Sequence, residues 1–326
     1  MKILLTGGTG FIGRNLAVRL AQMGHHVTCL VRSRDSAIWM GEHPGLDPVV
    51  GEITDRASLV PHVGDVEVIF HLAGVTKARS REEYMRINGL GTGTLIDAAC
   101  SSGEGVRKVI YVSSLAVAGP HTSHNPAKEN GPVAPVTHYG ESKLLGEQLL
   151  RDGCRQVSWT IIRPPVVYGP YDRDVLVYFK LAQRGLVPVF GKTDMDFSII
   201  HVDDLINGII LAGFSDKSNG EIFYLSDGRV HTVESALSAL IGVIGKGKLL
   251  RLPPLLGRVA GVVGDVVGHL SGKAQVVNSQ KVKETLQDGW VCGSEKIRDL
   301  LGFRPTVGLD QGFASTYRWY RNAGWL

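Results

Sequence analysis

The feature that most constrains the fold of this chain is a glycine-rich turn after its first apolar segment. Lys2 to Thr6 has the pattern of a buried strand, and glycines follow at positions 7, 10 and 13 where a helical pattern begins. A tight strand-to-helix turn needs a residue without a Cβ, a second glycine lets the backbone approach a pyrophosphate, and a third lets the helix pack closely on the strand. Free N–H groups at the helix start then face the phosphates. The turn therefore predicts a dinucleotide-binding site.

Short apolar segments alternate with longer helical patterns beyond this turn. Each predicted strand is apolar at consecutive positions, as expected of a strand buried on both faces. The predicted strands are Lys2 to Thr6, His26 to Val31, Val66 to Leu72, Lys108 to Ser113 and Ser158 to Arg163, and the predicted helices are Phe11 to Met23, Glu82 to Ser101 and Tyr139 to Asp152. This alternation is typical of βαβ units. We therefore predict an α/β fold with a doubly wound parallel sheet of the Rossmann kind.

The pattern changes after Arg163, where prolines, glycines and tyrosines become frequent. A strand, a helix and another strand are again predicted between residues 198 and 226, which indicates that the chain returns to the first domain. We expect a dinucleotide-binding domain of residues 1–165 with a return segment at about 198–226. Residues 166–197 and 227–326 would then form a smaller, discontinuous α/β substrate domain.

Length and composition indicate a globular protein. The chain has 326 residues, of which 44% are hydrophobic, so it can build a substantial core. Its 35 basic and 31 acidic residues give a formal net charge of +4 without a long run of like charges. The electrostatic pattern of a nucleic-acid-binding protein is therefore missing. No signal peptide is recognisable, so we expect a cytoplasmic protein. We expect its partner to be a small-molecule substrate.

The longest apolar stretch, Leu255 to Leu270, does not have the pattern of a transmembrane helix. Arg258, Asp265 and His269 interrupt it, and it is shorter than the roughly 20 residues that a bilayer crossing needs. Glycines alternate with valines from Gly257 to Gly268, a pattern that fits either a membrane-facing helix or a buried wall of the substrate domain. We expect the buried wall and no integral membrane segment.

Cysteines, histidines and paired acids give no support for a metal site. The cysteines are far apart and lack metal-ligand spacing, so they are expected to be small buried side chains without a zinc site or a disulfide framework: Cys29, Cys100, Cys154 and Cys292. Three histidines and an acid lie in a Pro- and Asn-rich stretch that we interpret as a loop covering the cleft: His121, His124, His138 and Glu129. Asp203 and Asp204 are interpreted as residues that cap a helix start.

The residue at the end of the second predicted strand is expected to contact the adenosine ribose of the cofactor. Folds that prefer NAD usually have an acidic residue there, whereas the 2′-phosphate of NADP is bound by arginine. This sequence has Arg32 at that point, Arg34 close by, and no carboxylate before Asp35. We therefore predict that Arg32 binds the phosphate and that NADP is favoured over NAD. The alternative is that both arginines are solvated loop cations.

A tyrosine and a lysine form the candidate catalytic pair. Tyr139 and Lys143 are four residues apart and share one helix face. A phenol with a pKa near 10 is a poor acid–base catalyst at neutral pH, and an ammonium one turn away is expected to lower that pKa. The strand from Lys108 leads to Ser113 and Ser114, where a hydroxyl can point at a substrate carbonyl.

Together these motifs resemble the extended short-chain dehydrogenase/reductase family of NAD-dependent epimerases and dehydratases. The resemblance covers nearly the whole chain and is carried by Thr6 to Gly13, Phe70 to Gly74, Asn88, Tyr111 to Ser114, Tyr139 with Lys143, Arg163 to Pro170, and His201 to Asp204. It implies that Tyr139 donates or accepts the proton, that Lys143 binds the nicotinamide ribose and tunes Tyr139, and that Ser114 hydrogen-bonds the reacting oxygen. Asn88 would support this catalytic site.

The resemblance also implies the remaining cofactor contacts. Ala73 and Gly74 would let the cofactor lie close, and Glu52 stands in a turn similar to the adenine-contacting turn of the family, where Asp is usual. The predicted cofactor-binding residues are Gly7, Thr9, Gly10, Phe11, Ile12, Gly13, Arg32, Glu52, Ile53, Leu72, Ala73, Gly74, Ser113, Tyr139, Lys143, Pro164 and Val166.

Departures from the family pattern narrow the reaction. Leu115 and Ala116 follow Ser114 where dehydratases have an Asp-Glu pair, and Pro165 or Val166 stands where nucleotide-sugar epimerases commonly have Asn. The chain looks closer to the branch of hydroxysteroid dehydrogenases and dihydroflavonol reductases, whose substrates are larger and less charged. We predict an NAD(P)-dependent oxidoreductase of a secondary alcohol or ketone. The alternatives are an epimerase using the same site without net redox change, and a non-catalytic dinucleotide sensor, which would need none of the three catalytic side chains.

Two predicted helices carry more apolar positions than a single buried face needs. These positions are Met85, Leu90, Leu95 and Ile96 in one helix, and Leu144, Leu145, Leu149 and Leu150 in the other. Excess apolar surface tends to be covered, and the resembled family often pairs these helices across a two-fold axis. We therefore expect a homodimer through them.

Overall fold

A seven-stranded parallel sheet forms the centre of the computed structural model, which describes residues 1–101, 105–153, 156–190, 192–271 and 279–326. The strands are β1 (Lys2–Thr6), β2 (His26–Val31), β3 (Leu46–Val50), β4 (Val68–His71), β5 (Lys108–Val112), β6 (Ser158–Arg163), β7 (Val166–Tyr168), β8 (Leu186–Phe190), β9 (Asp196–Phe197), β10 (Ile199–His201), β11 (Glu221–Tyr224), β12 (His231–Thr232), β13 (Lys248–Leu252) and β14 (Gly289–Trp290). The helices are α1 (Phe11–Gln22), α2 (Arg56–Val63), α3 (Arg81–Tyr84), α4 (Gly91–Ser101), α5 (His138–Gly153), α6 (Leu176–Gln183), α7 (Val202–Gly213), α8 (Val233–Ile244), α9 (Pro254–Ser271), α10 (Ser279–Thr285), α11 (Glu295–Leu301) and α12 (Leu309–Asn322).

The central sheet has the order β3-β2-β1-β4-β5-β6-β11. Successive side chains of a strand point to opposite faces, so Leu4 lies in the apolar core with α2, α4 and α5, whereas Leu5 lies in the core with α1 and α7. Both leucines are fully buried. The α/β doubly wound parallel fold predicted from the sequence is thereby confirmed.

Strand β3 was not predicted, because Asp47 and Pro48 interrupt its apolar pattern. Its place in the sheet explains how it forms: in the part of the chain that the structure describes, β3 pairs with β2 alone and lies at the edge. Proline lacks a backbone donor and is tolerated on edge strands.

The helix predicted from Glu82 to Ser101 forms, but it is not α-helical throughout. The chain forms α3, then a π-helical segment over Met85–Leu90, then α4. A π-helical turn inside a helix is often found at functional sites. Asn88, a predicted site residue, lies in this segment.

Smaller sheets lie beyond the central one. β8 pairs with β13, β9 lies between β12 and β14, and β7 pairs with β10. Helices α6, α8 and α12 pack around a further apolar core with Phe179, Leu240 and Tyr320. The segment 198–226 contributes β11 to the central sheet and α7 to its cover. The domain boundaries themselves stay a prediction.

Three expectations need correction. Cys100 is disulfide-bonded, whereas Cys29 and Cys292 are free and buried as expected, and Cys154 lies outside the described residues. His201, not an aspartate, caps α7, and the buried Asp204 carboxylate accepts hydrogen bonds from Thr306 and Val307.

The third correction concerns the outer side of helix α9. It exposes apolar side chains instead of forming a buried wall. Within the described residues, none of the helices combines the length and the apolar character that a bilayer crossing requires.

Candidate active site

The predicted site residues follow the carboxyl ends of neighbouring parallel strands. The glycine turn follows β1, Arg32 follows β2, Leu72 to Gly74 follow β4, Ser113 and Ser114 follow β5, and Pro164 follows β6. In a parallel sheet these ends share one edge. Connections on opposite sides leave a crevice between β1 and β4, where ligands of doubly wound folds bind.

The glycine turn forms a backbone cradle without room for side chains. Gly7 has a φ of +76°, and a Cβ there would lie 2.6 Å from the backbone N of Ala73. A Cβ on Gly13 would lie 2.1 Å from the carbonyl oxygen of Gly7. Gly10 begins α1 without a side-chain cap, so the first N–H groups of this helix have no side-chain acceptor. An uncapped helix N-terminus behind a glycine cradle fits a dinucleotide pyrophosphate.

The ribose end of the predicted site is basic. Arg32 and Arg34 are exposed, and neither forms an ion pair or a hydrogen bond with the residues that the structure describes. Glu52 is held through its backbone by Ser58, and Ile53 is buried beside Gly91 of α4. The two arginines are therefore available to an anionic ligand.

Asn88, Gly74 and Lys143 are brought together by the structure. A Cβ on Gly74 would lie 2.9 Å from Asn88 Oδ1 and 3.8 Å from Lys143 Nζ. The buried amide of Asn88 accepts the N–H of Val75 at 2.8 Å and donates to the Val75 carbonyl and to Ser142 Oγ, both at 3.0 Å. Asn88 thus connects the loop after β4 to helix α5, which carries the candidate catalytic pair.

Lys143 is buried where α5 meets strand β5. Its ammonium donates to the carbonyl of Val112 at 2.7 Å and lies 4.3 Å from the ring centre of Tyr111. Burial lowers the pKa of Lys143 to about 7, although the charge of Glu147 opposes this shift. Desolvation has the largest effect on the pKa of both Lys143 and Tyr139, and the lowering of the Tyr139 pKa by Lys143 stays a prediction.

Tyr139 lies beside Ser114 at the start of α5. Desolvation raises the pKa of Tyr139 to about 12, and a hydrogen bond with Ser114 partly offsets the rise. Its ring meets that of Tyr84 edge-on at 6.2 Å. The phenol is therefore protonated at neutral pH, which makes it a proton donor in this state.

The two serines after β5 have different partners. Ser114 Oγ accepts the N–H of Ala116 at 3.1 Å and stays close to Tyr139. Ser113 was predicted to contact the cofactor, but its buried hydroxyl donates to Glu147 at 2.5 Å. This hydrogen bond joins strand β5 to helix α5, and the cofactor contact of Ser113 stays a prediction.

Glu147 and Arg163 form a buried ion pair beneath the site. Two hydrogen bonds join them, at 2.9 Å and 2.6 Å, and their side chains are only 2% and 3% exposed. Burial alone would lower the pKa of Arg163, but the hydrogen bonds and charge of Glu147 raise it overall. Arg163 also donates to Tyr224 at 3.0 Å, which fixes β6 against β11. Sequence reasoning missed Glu147, although it lies one helical turn beyond Lys143.

A buried hydrogen-bond relay was also missed. The N–H of Ala73 donates to Thr6 Oγ1 at 3.1 Å, and Thr6 Oγ1 lies 2.7 Å from His71 Nδ1. His71 Nε2 lies 2.9 Å from Thr92 Oγ1, which donates to the Asn88 carbonyl at 2.7 Å. Since Thr92 gives its proton to Asn88, it accepts from His71, so the proton of the imidazole is on Nε2. Desolvation lowers the pKa of His71 to about 3, and the charge of Lys143 adds to this effect.

Arg14 was not singled out by sequence reasoning either. Its guanidinium lies between the rings of Trp39 and Tyr171, 4.2 Å and 4.1 Å from their centres. Tyr171 has a φ of +73°. Three distant segments must meet to build this stack, and no local motif indicates it. Among the other predicted residues, Pro164 accepts the N–H of Leu115, and Val166 is 42% exposed.

Comparison with known proteins identifies the class to which this fold and site belong. A sequence model of the NAD dependent epimerase/dehydratase family matches residues 3–225. The chain therefore belongs to this family, as the resemblance predicted, and it is an NAD(P)-dependent enzyme of the extended short-chain type. The glycine cradle and the uncapped start of α1 fit that cofactor.

Particular relatives span nearly the whole chain. A ceramide reductase from Caulobacter vibrioides is 32% identical, over 99% of this chain and 96% of that protein. A 4-hydroxy-2-methyl-3-oxo-4-farnesyl-3,4-dihydroquinoline-1-oxide ketoreductase from Stigmatella aurantiaca is 29% identical, over 96% and 94%. The structure of UDP-glucuronic acid 4-epimerase from Bacillus cereus, in complex with UDP-glucuronic acid and NAD, has a TM-score of 0.81 at 21% identity and covers 99% of this chain and 100% of that one. That similarity shows the shared fold.

Proposed function

We propose that this protein reduces a ketone on a large, mainly apolar molecule to a secondary alcohol, with NADP as its cofactor. The observation that carries this proposal is the convergence of Ser114, Tyr139 and Lys143 at the sheet edge that also holds the glycine cradle. The two relatives named as reductases support the direction of the reaction.

Each catalytic side chain has a role that its surroundings suit. Ser114 would hold the carbonyl oxygen of the substrate, and Tyr139, protonated at neutral pH, would give that oxygen its proton. Lys143 would bind the nicotinamide ribose, and Asn88 would hold the loop at Gly74 close to it. When bound, the nicotinamide supplies the hydride chemistry.

The proposal is tested with Tyr139→Phe. We expect turnover to fall at least about 100-fold, because general acid catalysis contributes that much, while cofactor affinity stays nearly unchanged. The assay follows NADPH oxidation against long-chain ketones, sterol ketones and nucleotide sugars. Tyr317→Phe is the matched control, since Tyr317 stacks on Phe179 in a different core. Near-normal turnover of Tyr139→Phe would contradict the proposed mechanism.

The preference for NADP rests on Arg32. Replacing it by Asp removes the partner of the 2′-phosphate and supplies an acceptor for the ribose hydroxyls, so we expect Arg32→Asp to prefer NAD. Calorimetric titration of both cofactors against both proteins measures the change. The prediction is wrong if the unmodified protein already binds NAD more tightly than NADP.

An epimerase remains the second candidate, because it would use the same side chains without net redox change. The similarity to UDP-glucuronic acid 4-epimerase supports it at the level of the fold. The sequence argues against it, since Pro165 or Val166 stands where an asparagine is common in such enzymes. A nucleotide sugar converted without consumption of NADPH would favour this alternative.

We also propose a homodimer through α4 and α5. Leu90 just before α4 is 55% exposed and available for such a contact. Part of the apolar surface is used within the chain, because Leu145 packs on Gly89 and Leu149 on Gly93. Light scattering that gives a mass near 35.2 kDa would contradict the dimer.

A further inference from the structure

Helix α9 presents an exposed apolar face. Its described side chains on that face are Leu255, Leu256, Val259, Val262 and Val263, with exposed fractions of 67%, 49%, 54%, 59% and 55%. Their spacing puts them on one side of the helix. The opposite side is buried, since a Cβ on Gly257 would lie 3.0 Å from Phe190 of β8. An exposed apolar patch of this extent marks an interaction surface.

The chain around this face is strongly basic. Residues 246–258 contain four lysines and arginines and no acidic residue, and of these Arg251 pairs with Glu234. Lys246 and Lys248 are exposed in the segment that precedes α9, and Arg258 is exposed on the helix itself. An amphipathic helix with an apolar face and basic surroundings is typical of segments that lie in the surface of anionic membranes. A second copy of this chain would bring the same positive charge to the contact and is disfavoured by repulsion.

Helices α9 and α10 connect this face to the candidate active site. They pack on each other. In α10, Gln280 Oε1 accepts the N–H of His138 at 3.1 Å, immediately before Tyr139. The charges of Lys281 and Glu284 act on the pKa of Tyr139 in opposite directions. The exposed face therefore belongs to a unit that contacts the start of the catalytic helix.

We propose that the exposed face of α9 binds the surface of anionic membranes and places the active site next to apolar substrates held there. The second part rests on the proposed function, whereas membrane binding itself does not. Charge draws the basic segment to the lipid headgroups, and the leucines and valines then enter the boundary between headgroups and acyl chains.

The test is flotation of the full chain with phosphatidylcholine vesicles, with and without phosphatidylglycerol. We expect binding to the anionic vesicles that weakens as salt is added, because surface charge is screened. Val259→Asp/Val262→Asp should lower the bound fraction about tenfold, since the carboxylates oppose both burial and anionic lipid. The matched control Val133→Asp/Val230→Asp alters valines that are 40% and 47% exposed elsewhere, and it should bind as the unmodified chain does. Val259→Ser, a milder change, should have a bound fraction between those of the unmodified chain and Val259→Asp/Val262→Asp.

Other results would overturn the proposal. These are equal binding to both kinds of vesicle, unchanged binding of Val259→Asp/Val262→Asp, or a dimer in light scattering that this variant alone dissociates. The last result would assign the face to a second copy of the chain. Vesicle binding without reduction of any ketone would contradict the proposed function alone, whereas reduction without vesicle binding would overturn membrane docking alone.

Discussion

Removal of Glu147 is expected to reveal how much the buried ion pair contributes to the stability of the site. Glu147→Leu leaves the guanidinium of Arg163 only 3% exposed and without its carboxylate. Breaking a buried pair in this way costs about 3–5 kcal/mol, because the remaining charge is neither hydrated nor compensated. The hydroxyl of Ser113 loses its acceptor as well, which adds about 1 kcal/mol.

The assay is urea unfolding followed by tryptophan fluorescence, with a double-mutant cycle. Arg163→Met should be about as destabilising as Glu147→Leu, because it leaves the carboxylate of Glu147 buried without a partner. The free energy of unfolding of the double variant should fall by clearly less than the sum of the two single decreases, because no buried charge is left unpaired. Asp288→Asn is the control, because it breaks a pair with Lys192 in which the side chains are 75% and 59% exposed. Such surface pairs contribute little, so no measurable change is expected.

Two results would refute this reasoning. One is a decrease of less than about 1 kcal/mol in the free energy of unfolding of Glu147→Leu, well below the range expected for a broken buried pair. The other is a double variant whose loss equals the sum of the single losses, because the two side chains would then act independently.

Two further predictions concern the glycine cradle and the histidine relay. Gly13→Ala should weaken NADP binding at least about tenfold in a fluorescence titration, since its Cβ would meet the Gly7 carbonyl at 2.1 Å, whereas Gly41→Ala, with no atom within 4 Å, should bind normally. A normal affinity of Gly13→Ala would show that the cradle does not bind the cofactor. The pKa of His71 is about 3 in the folded chain and about 6.5 unfolded, so stability should fall by up to about 5 kcal/mol as the pH drops through this window, because only the unfolded chain takes up the proton. His71→Gln should have a shallower slope of unfolding free energy against pH, and an unchanged slope would contradict the assignment.

The sequence predicted a strand correctly wherever the pattern of a single segment was enough to identify it. The bounds of β1, β2 and β6 agree with the predicted strands, because their apolar runs are buried on both faces of the sheet. The edge strand β3 was not predicted, since Pro48 is tolerated there because no further strand among the described residues pairs with β3. The cradle at Gly7 was predictable from spacing, because a tight turn leaves few alternatives.

The support of the site was less predictable, because it depends on residues that meet only in three dimensions. Thr6, His71 and Thr92 come from separate elements, and nothing in their own segments indicates a shared hydrogen-bond relay. The spacing of Tyr139 and Lys143 predicted a shared helix face, but not that Lys143 would turn to the Val112 carbonyl. Sequence spacing places groups near each other, whereas desolvation sets their pKa values.

The π-helical segment Met85–Leu90 makes the site sensitive to the number of residues in a helix. A π-helical turn bonds residue i to i+5 and so holds one residue more than an α-helical turn. Deleting a single residue there would let the segment close as a continuous α-helix, in which each residue turns the chain by about 100°. The helix on either side would keep its direction, because the wide turn only accommodates the extra residue, but the residues within the segment would point elsewhere, so the amide of Asn88 would leave Val75 and Ser142. A deletion of one residue in this helix would thus disrupt the candidate site even if every candidate catalytic side chain were kept.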